Sequence, residues 1–166
     1  MMVDVFIIKE RVVMKKLIVF SLVAVVAFVG SVVFASRHVQ FKDPNVSYRV
    51  NVMAAIGANM GAMGDIFKHR LPHQDAVGAH ARNIERSGML IVKAFQKEAM
   101  EEDSTALPKI WKEFDMFKAK AEDMVEAAGA LAKAADSGDQ GKIMGAMKGL
   151  GDTCKGCHKE YRKKRN

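Results

Sequence analysis

The stretch 110-IWKEFDMFKAKAEDMVEAAGALAKAA-135 carries an apolar residue at every third or fourth position without interruption. The stripe consists of Ile110, Phe114, Phe117, Ala121, Met124, Ala128, Leu131 and Ala135. Because an α-helix has about 3.6 residues per turn, this spacing keeps all of these side chains on one helical face. The stretch therefore predicts a long amphipathic helix.

Three further segments repeat the same spacing. The first contains Met53, Ile56, Met60, Met63 and Phe67. The second contains Val77, Ala81, Ile84, Gly88, Ile91 and Phe95, and the last contains Ile143, Met147, Leu150, Cys154, Cys157 and Tyr161. No stretch shows the sustained alternation of a strand. Four helices are therefore predicted, and no strands.

The segments between these helices contain residues that end or begin helices. Pro72, Pro108 and Gly138 mark the three breaks. Candidate N-terminal caps are Asp75, Asp139, and Ser104 or Thr105. Short breaks between long helices favour an all-α fold, an antiparallel up-down four-helix bundle.

The N-terminus resembles an export signal. Lys15 and Lys16 precede an apolar run from Leu17 to Phe34, and Val33 and Ala35 form a small-x-small cleavage pattern before Ser36. We interpret residues 1–35 as a signal peptide and 36–166 as the mature domain, with 1–13 a misassigned upstream start before Met14. The alternative is an uncleaved membrane anchor.

Charge and composition exclude some function classes. The first 35 residues carry four of the 26 Lys and Arg and two of the 19 Asp and Glu, which leaves +5 on the remainder. This mild positive charge lacks a basic stripe with interleaved aromatics, so nucleic-acid binding is not expected. The net positive charge is compatible with a partner protein that has an acidic surface. No nucleophile–base pair or carboxylate dyad stands out, so no enzyme is expected.

Both cysteines of the chain lie in 151-GDTCKGCHKEYRKK-164. On a helix Cys157 lies about 60° behind Cys154 and His158 about 40° ahead of it, so all three share the core face. Zinc would need a fourth ligand that no second motif supplies, and a redox dithiol usually follows a strand. Both alternatives stay open but are weaker than covalent haem, for which Cys-x-x-Cys-His is the attachment motif. We therefore expect one haem c per chain.

A four-helix bundle with this motif near its C-terminus resembles the cytochrome c′ family and its low-spin relatives. The resemblance covers roughly residues 46–164 and rests on YRVNVMAAIGANMGAMG, ALPKIWKEFDMFKAKA and GDTCKGCHKEYRKK. It implies thioether bonds at Cys154 and Cys157, with His158 as the proximal iron ligand. It further implies that Arg162 lies beside the proximal imidazole and that Arg49 lies near the haem propionates.

The resemblance also places Met53 opposite His158, on the distal side of the iron. Two alternatives stay open there. A coordinating Met53 gives a low-spin electron carrier, and a non-coordinating Met53 leaves iron open to nitric oxide or carbon monoxide. The expected function is periplasmic electron transfer, with gas scavenging or sensing as the alternative. The family resemblance also implies a homodimer formed through the first two helices.

Overall fold

The first helix begins at an Asp-Pro step. In the computed structural model, which describes residues 41–164, α1 spans Pro44–Lys68. Asp43 caps this helix, because its Oδ1 accepts a hydrogen bond of 2.7 Å from the Asn45 amide. Pro44 fits the first helical position, where no amide donor is needed.

The second predicted helix is interrupted in the structure. A single 3₁₀ turn, Gln74–Ala76, precedes α2 (Val77–Gly88), and the chain resumes as α3 (Ile91–Ala94) after a turn at Met89 and Leu90. Asp75 lies inside the 3₁₀ turn and does not cap α2, so that prediction was wrong. The predicted stripe nevertheless stays buried from Val77 to Phe95.

The third predicted helix also consists of two pieces. It comprises α4 (Lys109–Lys112) and α5 (Phe114–Asp136), separated by Glu113 with φ −127° and ψ 42°. Pro108 directly precedes α4, as predicted.

The last helix begins where the sequence indicates. Gly138 has a φ of +69°, a left-handed conformation that glycine adopts without strain. Asp139 then caps α6 (Gln140–Tyr161), because its Oδ1 accepts a hydrogen bond of 3.0 Å from the Lys142 amide. The motif with both cysteines lies in the last two turns of α6.

The four predicted segments form the bundle as α1, α2 with α3, α4 with α5, and α6, which confirms the predicted fold class. α1 packs against α2, α2 against α5, and α5 against α6. Among the described helices, α1 and α6 do not pack closely along their backbones. The described residues contain no strand, only one isolated antiparallel bridge between Ala106 and Arg162.

The signal peptide (1–35), the proposed start at Met14 and the boundary at Ser36 lie outside the described residues, so they stay predictions. Within residues 41–164, no helix combines the length and the apolar character that crossing a membrane requires.

Gly88 allows α2 and α5 to approach closely. A Cβ atom at this position would lie 2.8 Å from Met124 Cε and 2.8 Å from Val125 Cγ2, both on α5. We expect Gly88→Ala to destabilise the protein by about 1–3 kcal/mol, since overpacking moves backbones or forces strained rotamers. Chemical denaturation of the haem-loaded protein, followed by circular dichroism, measures this change.

Gly145→Ala is the matched control, because a Cβ at exposed Gly145 in α6 meets no atom within 4 Å. This control should be neutral or stabilising by up to about 1 kcal/mol. Equal stability of Gly88→Ala and wild type would contradict the close approach of α2 and α5.

Candidate functional site

The Cys-x-x-Cys-His motif lies on the core face of α6, but its side chains are only partly covered. Ile143, Leu150 and Tyr161 on the same face are buried. Cys154 and Cys157 are partly buried and pack against the hydrophobic core. The structure therefore places Cys154 and Cys157 against the core, and His158 follows them on α6 and is partly buried.

Burial keeps both cysteines in the thiol form. Desolvation raises the pKa of Cys154, with smaller opposing effects from hydrogen bonds. Desolvation also raises the pKa of Cys157 to about 11, although the positive charge of Lys120 acts against it. Both cysteines are free in the structure.

The same surroundings favour the neutral imidazole of His158. Burial lowers the pKa of His158, and the positive charge of Arg162 lowers it further. A neutral imidazole has a lone pair that can bind a metal. Within residues 41–164, no three His, Cys, Asp or Glu side chains lie close enough together to hold a metal ion among themselves.

Arg49 on α1 is a buried cation, with only 1% of its surface exposed. Its Nη2 donates hydrogen bonds to the Ala99 carbonyl oxygen at 2.6 Å and to Ser104 Oγ at 2.9 Å. Its Cζ lies 5.5 Å from the ring centre of Phe95 and 5.2 Å from that of Trp111. The second terminal nitrogen, Nη1, is buried without a hydrogen-bond partner.

Burial lowers the pKa of Arg49, and the negative charges of Asp43 and Glu101 counteract this effect. Arginine nonetheless stays protonated, since its pKa lies far above neutrality. Arg49 is therefore a buried positive charge with one terminal nitrogen that donates no hydrogen bond.

Met53 lies one turn after Arg49 on α1. It is partly buried and packs against the same hydrophobic core as Cys154 and Cys157. Ile56 and Met63, further along the same stripe, are buried.

Arg162 follows α6 directly and is exposed and extended. Its backbone pairs with Ala106, while the amides of Leu107 and Lys163 donate to the carbonyl oxygens of Tyr161 (3.0 Å) and Thr105 (2.8 Å). These bonds tie the end of α6 to the segment 105–107. The Arg162 charge lies close enough to His158 to influence its pKa.

Ser104 is a site residue that the sequence did not indicate as such. It was a candidate helix cap, but α4 begins later, after Pro108. Ser104 is 2% exposed and accepts a hydrogen bond from Arg49, 55 positions earlier. No local pattern reveals a contact over this separation.

The remaining histidines of the described chain are not brought to the motif. His69 and His73 are exposed at the loop after α1, and His80 Nδ1 lies 2.9 Å from Asn59 Oδ1.

Comparison with known proteins identifies the family. The family model described as Cytochrome C′ matches residues 44–162. Cytochrome c′ of Pararhodospirillum photometricum is 36% identical over 118 residues, which covers 70% of this chain and 94% of that protein.

Solved structures indicate the same family. Cytochrome c prime from Shewanella frigidimarina has a TM-score of 0.68 and 34% identity, covering 75% of this chain and 100% of that chain. A ferrous variant of cytochrome c prime from Alcaligenes xylosoxidans with bound NO has a TM-score of 0.64 and 29% identity. This match covers 76% of this chain and 100% of that chain. From the family match, the sequence identity and the shared bundle, we conclude that the chain belongs to the cytochrome c′ family, a class of haem electron carriers whose members bind haem c.

Proposed function

We propose that this protein is a periplasmic c-type cytochrome that carries one electron on a single haem, covalently attached to Cys154 and Cys157. When bound, the haem supplies an iron that alternates between Fe(III) and Fe(II). One observation carries the proposal: α6 holds two thiols partly buried against the core, with the imidazole of His158 directly after them. The buried arginine on α1, with its unused donor nitrogen, adds support.

The two cysteines suit thioether formation. Cys154 and Cys157 would hold the haem through two thioether bonds, each formed by addition of S–H across one vinyl C=C, so that nothing would be oxidised or released. The spacing of three residues presents both sulfurs on the same side of α6.

His158 is held in the state that an iron ligand requires. Its low pKa leaves a ring nitrogen lone pair free at neutral pH. The hydrogen bond of 3.2 Å from the Arg162 amide to the His158 carbonyl oxygen fixes the backbone just after the ligand. We propose that Arg162 tunes the imidazole through its charge.

Arg49 fits a haem propionate. A buried donor without a partner costs about 1–3 kcal/mol, and more when the donor is charged. A carboxylate accepting from Nη1 would remove that cost and neutralise the buried charge. Because α1 and α6 do not pack closely, groups from both helices remain available to one ligand between them.

In the electron-carrier proposal, Met53 is the side chain on the distal side of the iron, opposite His158. Met53 is only partly buried, and a thioether on three rotatable bonds can turn toward a metal or fill space beside it. The second candidate function is binding of nitric oxide or carbon monoxide. It is favoured by the structural likeness to the Alcaligenes xylosoxidans protein with bound NO.

The surface around the motif is basic. Lys155, Lys159, Lys163 and Lys164 are exposed in or just after the last turns of α6, whereas Lys148 pairs with Asp152 at 2.6 Å. We propose that this surface meets an acidic redox partner. Homodimer formation through α1 and α2 is a separate proposal, which light scattering of the purified protein tests.

Covalent attachment is tested by mass and by denaturation. The periplasmic protein should have the mass of residues 36–166 plus one haem, because export removes residues 1–35. Haem should stay on the denatured polypeptide in acid acetone and in a haem-stained gel. The double variant Cys154→Ala/Cys157→Ala should lose this stain, since both bonding sulfurs are absent. Haem that leaves the wild-type chain would refute the proposal.

Met53→Ala separates the two functions. If the Met53 sulfur binds iron, the variant should lose the sulfur-to-iron charge-transfer band of the ferric spectrum and bind carbon monoxide readily. Met60→Ala is the matched control, because Met60 lies two turns further along the same face and is also partly buried. It should leave the spectrum unchanged. A wild-type protein that is already high-spin and binds carbon monoxide would refute ligation and favour gas binding.

The basic surface predicts a salt-dependent reaction with anions. Oxidation of the ferrous protein by ferricyanide should slow as ionic strength rises, and Lys155→Glu/Lys159→Glu should slow it about two- to tenfold at low salt. Lys133→Glu/Lys142→Glu makes the same charge change at the opposite end of α5 and α6 and should have a smaller effect. Equal rates for both variants would contradict a localised docking surface.

A further inference from the structure

We propose that Ser104 is a positioning residue that directs the free Nη1 donor of Arg49 toward the haem propionate, and that it thereby raises the reduction potential of the iron. This inference rests on the proposed function. Ser104 acts on the iron only through the Arg49 charge, so its effect should disappear when Arg49 is replaced.

The hydrogen bonds of Arg49 are unevenly divided between its two terminal nitrogens. Nη2 donates to both the Ala99 carbonyl oxygen and Ser104 Oγ, while Nη1 donates to neither. Since the guanidinium is planar, two acceptors on one nitrogen determine the direction in which the other nitrogen points. Ser104 therefore helps to select which edge of the guanidinium stays free.

The rings of Phe95 and Trp111 restrict the same group further. Both ring centres lie within about 6 Å of the guanidinium carbon, the range of cation–π attraction. Trp111 is itself oriented, because its Nε1 donates a hydrogen bond of 2.8 Å to the Phe95 carbonyl oxygen. The rings hold the guanidinium in place, and the hydrogen bonds that Nη2 donates set its rotation in the plane.

Two further hydrogen bonds hold Ser104 in position beside Arg49. Its amide donates a hydrogen bond of 3.0 Å to the Glu101 carbonyl oxygen, and its Oγ accepts one of 3.4 Å from the Ala106 amide. Ala106 pairs with Arg162, four residues after His158. The position of Ser104 is therefore linked to the end of the helix that carries the iron ligand.

A positive charge held near the iron stabilises the less positive Fe(II) state and raises the potential. Removal of the Ser104 hydroxyl leaves Nη2 with one acceptor and lets the guanidinium turn. The time-averaged charge then lies farther from the propionate, which should lower the potential.

The experiment is redox titration of the haem-loaded protein with Ser104→Ala, Ser104→Thr, Arg49→Met and the double variant Ser104→Ala/Arg49→Met. At the wild-type midpoint potential, Ser104→Ala should lower the Fe(II)/Fe(III) ratio about three- to tenfold, a change of the size of one ordinary hydrogen bond. Ser104→Thr keeps the hydroxyl and should restore the ratio. In the Arg49→Met background, Ser104→Ala should cause no further change.

Ser137→Ala is the matched control. The Ser137 hydroxyl also accepts from the amide two residues later, at 3.3 Å, but it lies at the end of α5 and donates to the Ala134 carbonyl oxygen. This variant should leave the potential unchanged. If Arg49→Met does not mature, Arg49→Lys replaces it, since a lysine lacks the second nitrogen that Ser104 would orient.

The inference is overturned if Ser104→Ala leaves the potential unchanged, or if it shifts the potential equally with and without Arg49. The latter result would mean that Ser104 acts through the loop rather than through the cation. In either case, a wild-type protein with covalent haem and reversible redox spectra still supports the proposed function. A wild-type protein without covalent haem overturns both.

Discussion

Burial of the Arg49 guanidinium constrains the fold around the site. A cation removed from water is stable only where hydrogen bonds and nearby charges replace its hydration. Here two neutral acceptors and two aromatic faces surround it, and the carboxylates of Asp43 and Glu101 contribute favourable charge from a distance. Every one of these groups must be held in place.

The segment 96–107 supplies much of that support. Its Ala99 and Ser104 bond to Arg49, and its Glu101 side chain accepts hydrogen bonds from the amides of Lys42 (3.1 Å) and Asp43 (2.6 Å) at the start of α1. The ring centres of Tyr161 on α6 and Phe117 on α5 lie 5.4 Å apart in an edge-to-face arrangement. The ring centre of Phe117 lies 5.0 Å from that of Phe95, the ring that contacts the guanidinium. The segment 96–107 thus connects the start of α1 to the end of α6, through Glu101 and through the pairing of Ala106 with Arg162.

The helices and the motif face were predictable because both depend on local periodicity. The stripes from Val77 to Phe95 and from Ile110 to Leu131 are buried almost throughout, and Asp139 caps α6 as its sequence context indicates. The breaks at Met89 and Glu113 were not predicted, since the apolar spacing continues across them. The role of Ser104 depends on an arginine 55 positions away, and local spacing carries no information about such a contact.

In the proposed arrangement, α6 and α1 make different contacts with the haem, and this explains how one bundle could serve either of the two functions. We interpret α6 as the helix that holds the haem through Cys154, Cys157 and His158, while Arg49 on α1 binds its charged edge. None of these contacts requires a particular side chain at position 53. Met53 is partly buried on a face whose packing already depends on Ile56 and Met63. In the proposed arrangement, the side chain at position 53 could therefore change without loss of the bundle, and the choice between the two proposed functions would depend on that one side chain.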